Sequence, residues 1–422
     1  MEVIFLKKIA KLKNSTFFKN SILYTIGSML TPMIALIMLP IYTQYLTTEE
    51  YGIMTTVQTI TGMLTIFLIL SLRTAVTRFY YDHLDNEETM KHYISTIFTF
   101  VLIFSTISSI ILIILNKPIG NILFQNIPIN PYYFYLIGLS WVDGLFVLPM
   151  SLFRAQEKAA KFVFINVLKS FLIMVISVIL IVYLGYGAES VLLSHFIIST
   201  LITIYTYGSI LKVVKLRMNI NYLKESLYLS IPLMPHLAST WIISASDRVI
   251  LEKYIPLSEL GIYSLSAQIS TVLAIFYSGV NQAMVPRFTR LIKDGKNESA
   301  KHLLKNFNRI VVIFGIASIP IAMFATNIIV QGDYKGAIYL LPYLLIGHMI
   351  RGFYFVPVAQ LFYIKKTKSI ASSSMIAATT NIIINLLLIP FIGVHGAILS
   401  TIVAELIRYG LIKKHSKTAN LL

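Results

Sequence analysis

Arg351 lies deep in an apolar run, 15 residues after Gly336 and 14 before Lys365. At ~1.5 Å of helical rise per residue, its side chain reaches neither edge of a ~30 Å hydrocarbon layer. Holding a cation there costs ~2.5–3.5 kcal/mol on insertion scales, so it faces a cavity or a structural ion partner. His348 stands one turn earlier on the same face and shares that environment. Asp143 is equally deep, with Tyr132 and Arg154 each 11 residues away. Two readings are open for it: a proton or sodium site, or a structural partner for Lys169 in the next run. Lys169 is eight residues from Lys161, close enough for its stem to carry the ammonium toward the interface instead.

Other charges sit nearer the ends of apolar runs. Arg73 and Arg78 close one run, and Arg287 closes another. They read as interface anchors, or as cations flanking a cytoplasmic vestibule. Asp247 and Arg248 are adjacent at the outer end of a further run, as a gate ion pair or an exposed surface pair. Glu405 and Arg408 are spaced i, i+3 and can neutralise each other on one helix face, which leaves Glu405 a second reading as an ion-coupling group. The inward-facing inventory is rich in cations, with Asp143 as the deep acid that has no partner on its own helix. That sign suits an anionic substrate, and guanidinium matches phosphate geometry. No constellation here reads as catalytic or metal-binding. With no cysteine, thiolate catalysis, disulfides and Cys-based metal sites are excluded.

The elements that must position these groups are membrane helices. Hydrophobic residues make up 56% of the chain and charged ones 13%, against roughly 25% in a soluble domain. The net charge of +17 is gathered in short loops between apolar runs, which argues against nucleic acid as a partner. A span needs ~20 mostly apolar residues, and counting such runs predicts about twelve. They are 20–43, 52–74, 94–115, 132–153, 162–184, 188–211, 226–247, 259–283, 308–328, 336–361, 369–390 and 394–412. The charged connection from Arg287 to Asn308 reads as a helix along the membrane surface. Residues 1–19 form a basic amphipathic segment without a cleavable signal. Bundles at 20–211 and 226–412 flank a linker at 212–225, and a tail follows at 413–422. Lys and Arg concentrate in the N-terminal segment, the even-numbered loops and the tail. The odd-numbered loops carry only Lys117, Arg248, Lys253 and Lys335, so both termini are expected in the cytoplasm. Prolines 32, 40, 149, 232, 235, 342 and 357 are expected to bend or break their spans.

The two halves echo each other. Tyr45–Phe79 aligns without gaps on Tyr254–Phe288, 209 residues on, with 11 identities in 35 positions. Glu50, Gly52, Ile53, Arg78 and Phe79 fall on Glu259, Gly261, Ile262, Arg287 and Phe288. The reading is an all-α polytopic membrane protein built as two six-helix bundles related by an internal repeat, with the substrate path between the halves.

Several short segments also carry a family likeness. They are Lys19-Asn20-Ser21 leading into Leu39-Pro40-Ile41-Tyr42, Tyr51-Gly52-Ile53, Arg78-Phe79, Asp247-Arg248-Val249-Ile250-Leu251, Gly261-Ile262-Tyr263-Ser264 and Gly393-Val394-His395-Gly396-Ala397. With the span count and order, this set resembles the polysaccharide-unit flippases (Wzx-type) of the multidrug/oligosaccharidyl-lipid/polysaccharide exporter superfamily. The resemblance covers nearly the whole chain. It implies a transporter, not an enzyme, in a bacterial or archaeal cytoplasmic membrane. Such a protein moves an undecaprenyl-pyrophosphate-linked oligosaccharide to the outer leaflet for O-antigen or capsule assembly. It also implies alternating access driven by a proton or sodium gradient, no cofactor, and partners in membrane lipids, the polymerase and other glycan-assembly proteins. Arg78 and Asp247-Arg248 sit in its motifs; Arg351, Asp143 and Lys169 rest on depth alone. A drug/cation antiporter of the same fold would need deep acids in the first bundle, and the first span has none. A membrane glycosyltransferase or polymerase would need catalytic groups on a large external loop, and the largest external loop, Asn116–Pro131, carries one charge, Lys117. A scaffolding role gives no reason for duplicated, proline-broken spans with deep arginines.

Overall fold

The computed structural model describes residues 16–83, 85–212 and 217–418. Most of the basic N-terminal segment, 213–216 of the linker and the last four residues of the tail lie outside the described residues. Every regular element among those described is helical. In chain order they are α1 (Thr16–Ile37), α2 (Leu39–Tyr45), α3 (Thr48–Leu68), α4 (Leu72–Asp82), α5 (Glu87–Ile114), α6 (Asn116–Leu123), α7 (Ile129–Ala155), α8 (Ala159–Val182) and α9 (Ala188–Leu211). Then come α10 (Ile220–Ser230), a 3₁₀ turn at Ile231–Leu233, α11 (Met234–Tyr254), α12 (Leu257–Lys293) and α13 (Asn297–Ile329). A second 3₁₀ turn, Gly332–Gly336, leads into α14 (Ala337–Tyr363) and α15 (Thr367–Thr418).

Local sequence explains where the helices begin. Asn86 accepts hydrogen bonds from the backbone N–H groups of Glu88 and Thr89, capping α5. Thr47 and Glu50 form a reciprocal capping box before α3, at 2.8 and 3.2 Å. Proline explains two of the interruptions: Pro40 lies just inside α2, and Pro232 lies in the 3₁₀ turn that separates α10 from α11.

Nine helices among the described residues are long and apolar enough to cross a membrane. Seven of the twelve expected runs coincide with separate helices of this kind, and most of the second lies in α3. The eleventh and twelfth lie together in α15, which bends at Ile392 and Gly393, where Gly393 has φ 53°. The first, second and seventh are the interrupted ones, α1–α2, α3–α4 and α10–α11. The lipid-facing sides are plain: on α13, Ile313, Ile316, Ile321 and Phe324 are 61–70% exposed, which water would not tolerate over so continuous an apolar face.

Two expectations are corrected. The second run is not continuous: Leu70 and Ser71 adopt φ of 47° and 55°, and the chain restarts as α4. Nor is there a separate surface helix after Arg287. α12 continues through Pro286 to Lys293, and α13 starts at Asn297. At ~1.5 Å per residue, α12 is ~55 Å long, so its charged C-terminal turns extend past a ~30 Å hydrocarbon layer.

The described residues form two compact units. The first holds the chain up to Met38, Thr61–Ile119 and Asn130–Met234; the second holds Leu39–Ile60, Gly120–Ile129 and the chain from Pro235. The first unit's core gathers Leu72, Val76, Tyr93, Phe98 and Leu148, and the second's gathers Tyr277, Phe288, Phe307, Val311 and Leu341. Within the second unit, Gly52 of α3 and Gly261 of α12 meet. A Cβ on Gly261 would stand 1.8 Å from the Thr48 carbonyl oxygen, and one on Gly52 would stand 2.5 Å from that of Leu257. The repeat-equivalent glycines are therefore there for close backbone approach.

Candidate functional site

In the second unit, α11, α12, α14 and α15 enclose a cavity of about 290 Å³. α14 is oriented by its back. Gly352 packs so closely on Val311 and Tyr277 that a Cβ would stand 2.8 and 3.0 Å from them, and Tyr277 donates to the Val311 carbonyl at 2.6 Å. The adjacent face then presents Gly347, His348 and Arg351 to the cavity. Arg351 is half-buried and, among the described residues, has no ion-pair partner. The cavity therefore brings Arg351 and His348 together with Asp247, Arg248 and Glu405, and adds Tyr263, Gln268 and Thr271 of α12.

The charges around this cavity are unequally satisfied. Asp247 is buried and does not pair with the Arg248 side chain. It accepts hydrogen bonds from the Tyr263 hydroxyl and, at 2.8 Å, from the Arg248 backbone N–H. An exposed Asp247–Arg248 surface pair is thereby ruled out. One Arg248 guanidinium nitrogen reaches Thr59 Oγ1 at 3.4 Å, while its Nε has no partner. Glu405 and Arg408 do approach each other, at 3.8 Å, which is an ion pair too long for a hydrogen bond. Arg408 donates instead to Ser374 Oγ and the Tyr354 hydroxyl, at 3.2 and 3.0 Å, and stacks 4.0 Å from the Tyr354 ring centre. Glu405 Oε2 is left without a partner, although the residue is 3% exposed.

The first unit holds a different arrangement. Lys169 Nζ of α8 donates to Asp143 Oδ1 of α7 at 2.7 Å, His195 Nε2 of α9 stands 3.1 Å from Oδ2, and Ser199 Oγ donates to Oδ1 at 3.2 Å. The Lys169 ammonium also sits 4.3 Å from the Phe146 ring centre. Three helices thus converge on one carboxylate. The depth of Asp143 and Lys169 pointed to this pair; His195 and Ser199 were missed. The position of His195, seven residues into the 188–211 run, was the available signal.

The remaining candidates are not among the residues that line the cavity. Arg73 and Arg78 are exposed on α4, with the Arg78 guanidinium 5.9 Å from the Phe79 ring centre. Arg287 is exposed on the projecting end of α12. Sequence reasoning also missed two buried polar devices in the second unit. Ser246, Asn381, Asn385 and Ser400 link α11 to both arms of α15. Glu252, fully buried, accepts backbone N–H bonds from Gln125, Asn126 and Ile127 at 2.6–3.1 Å. Each buried polar group there has company, as a low-dielectric interior demands.

Comparison with known proteins supplies the context. Residues 17–292 match the model of the family described as polysaccharide biosynthesis protein. A Haemophilus influenzae protein named for the Lsg locus is 23% identical over 402 residues, covering 90% of this chain and 95% of its own. An uncharacterised membrane protein of the same organism is 22% identical over 410 residues, covering 91% and 95%. Among solved structures, the lipid II flippase MurJ in an inward closed conformation superposes with a TM-score of 0.74 at 18% identity, over 94% of this chain and 87% of that one. An inward-facing multidrug resistance transporter of the MATE family, in the MOP superfamily, gives 0.69 at 15% identity, over 94% and 98%. At such identities the likeness lies in the fold, and the fold is common to all three.

Proposed function

We propose, from the premise that this chain belongs to the polysaccharide biosynthesis protein family, that it is a flippase for an undecaprenyl-pyrophosphate-linked oligosaccharide. It carries the unit from the cytoplasmic to the outer leaflet for surface polysaccharide assembly, O-antigen or capsule. The observation that carries the reading is Arg351: a guanidinium in a membrane-embedded cavity, with no ion-pair partner among the described residues. A buried cation without a counter-charge is costly unless a ligand supplies one. Pyrophosphate supplies it in the bidentate geometry that guanidinium prefers.

In this reading twelve spans form two six-helix bundles with both termini in the cytoplasm. Alternating access moves the cavity between the membrane faces. Arg73, Arg78 and Arg287 attract the anionic headgroup at the cytoplasmic surface, Arg351 and Arg248 receive its phosphates, and the prenyl tail remains in lipid. The carrier is reset by a proton at the Asp143 cluster. Lys169 and His195 already occupy the carboxylate with nitrogen donors, which disfavours the oxygen-lined shell that sodium requires. The chain performs no covalent chemistry and takes no cofactor; the polymerase and other assembly proteins act on what it delivers.

The test is a deletion strain. Lipid-linked units trapped on the cytoplasmic side, with the surface glycan lost and restored by the wild-type gene, are the expected result. Intact surface glycan with new sensitivity to cationic dyes would instead identify a drug/cation antiporter. Single unpolymerised units on the outer face would identify a polymerase.

A further inference from the structure

The connection from α6 to α7 is folded away from its chain neighbours. α5 and α7 from Asn130 onward belong to the first unit, yet Gly120–Ile129 belongs to the second. Glu252, in the last turn of α11, holds it there. The Glu252 side chain is fully buried and, among the described residues, has no ion-pair partner. Its carboxylate instead accepts hydrogen bonds from three consecutive backbone N–H groups, those of Gln125, Asn126 and Ile127, at 2.6–3.1 Å. The Asn126 side-chain amide donates to the Glu252 carbonyl, and Lys253 Nζ donates to the Ile122 carbonyl of α6 at 2.8 Å. Phe124 and Ile127 are buried as well, at 4% and 3% exposure. Letting go would strip a carboxylate of its donors and bare two apolar side chains in one step, because such a network holds or fails together. Phe124–Pro131 carries no charge, so the attachment is not a surface ion pair that salt could loosen. Two non-helical joints flank the segment: Leu115 (φ −87°, ψ 25°) and Asn130 (φ −99°, ψ 123°). Rotation at these joints breaks none of the bonds to α11.

We propose that residues 122–129 are a tether: they stay docked on α11 throughout the transport cycle, move with the second unit, and pass that movement to α5 and α7. α7 carries Asp143, so the tether acts on the helix of the proposed proton site. The inference rests on the flippase reading and adds a mechanical coupling to it. Glu252 is the residue that positions the tether.

The experiment uses the deletion strain complemented with variants of the full chain. The chain has no cysteine, so a thiol bridge can be placed without background. Asn126→Cys with Lys253→Cys, joined by a short bis-thiosulfonate reagent, should export surface glycan as well as the same variant unbridged. A pair of glycines inserted between Ile129 and Asn130 adds slack outside the docked bonds. It should reduce export severalfold, while amide hydrogen exchange at Gln125–Ile127 in the purified chain stays as slow as in wild type. Glu252→Gln should speed that exchange about tenfold to a hundredfold, the span of one hydrogen bond to a charged group. Export stopped by the bridge and restored by a reductant would make the segment a latch that opens. Export indifferent to the added slack would make it ordinary packing, and unchanged exchange in Glu252→Gln would mean that the carboxylate does not hold it. Any of these three overturns the inference and leaves the flippase reading standing. If the wild-type gene restores no surface glycan, the flippase reading falls and the inference falls with it.

Discussion

The Asp143 cluster and the Arg351 cavity handle buried charge in opposite ways. In the first unit, Lys169, His195 and Ser199 converge on one carboxylate, so its charge and its acceptor sites are met from within the protein. In the second unit, Arg351 has no ion-pair partner among the described residues, Glu405 keeps an unpaired oxygen and Arg248 an unpaired nitrogen. Desolvation penalises both arrangements. Only the first offsets that penalty without a ligand. The closed cluster therefore carries stability and, where a proton is exchanged, a change of state. The open cavity is where binding energy from outside has most to gain.

The largest expected effect tests the open side. Arg351→Ala should abolish transport of the lipid-linked unit, read as loss of surface glycan, with the amount of protein in the membrane unchanged. Arg351→Lys should restore only part, because an ammonium cannot present a bidentate fork to phosphate. Full activity of Arg351→Ala would remove the residue from the mechanism. On the closed side the effect should appear as stability. Lys169→Ala leaves Asp143 short of its ammonium, and breaking a buried pair from one side costs about 3–5 kcal/mol. Thermal melting in detergent should show that loss for Lys169→Ala and for Asp143→Ala singly, and a markedly smaller loss for the double variant. If Arg351→Ala melts as low as Lys169→Ala, the contrast between the two regions fails.

A third effect concerns backbone instead of charge. Gly261→Ala places a methyl 1.8 Å from the Thr48 carbonyl, so α3 and α12 must separate, at a cost of about 1–3 kcal/mol by analogy with overpacked cores. Gly208, also helical, has nothing within 4 Å of its would-be Cβ, and Gly208→Ala should be neutral or stabilise by about 0.5–1 kcal/mol. Equal melting temperatures for the two variants would mean that the α3–α12 contact yields freely.

The glycine pair also marks how far the sequence could be read. Gly52 and Gly261 stood out as identities that composition does not explain, and the helix contact now supplies the reason. The deep charges were legible too, because hydrocarbon penalises charge by depth and depth can be counted along a run. What could not be counted was convergence. His195 and Ser199 reach Asp143 only because α9 packs beside α7, and Glu405 is open only because Ser374 and Tyr354 claim Arg408. The break at Leu70–Ser71 carries neither Gly nor Pro, so local sequence gave no sign of a left-handed pair there. The charges after Arg287 misled in the other direction: they read as a separate surface helix, yet α12 runs on through Pro286 to Lys293.

The smallest expected effect falls on the exposed arginines. Arg78 is solvent-facing on α4, and Arg287 stands on the projecting end of α12. A charge in that setting acts through screened, long-range attraction, worth about 1 kcal/mol near an anionic surface and falling off within a Debye length of ~8–10 Å. Arg78→Ala and Arg287→Ala should therefore slow transport only severalfold. Raising the ionic strength in a reconstituted vesicle assay should shrink the difference from wild type. Arg351 should behave differently, since a membrane-embedded pair with phosphate is shielded from bulk salt. A salt-sensitive Arg351 variant, or a salt-insensitive Arg78 variant, would mean that the boundary between attraction at the surface and recognition in the cavity has been drawn in the wrong place.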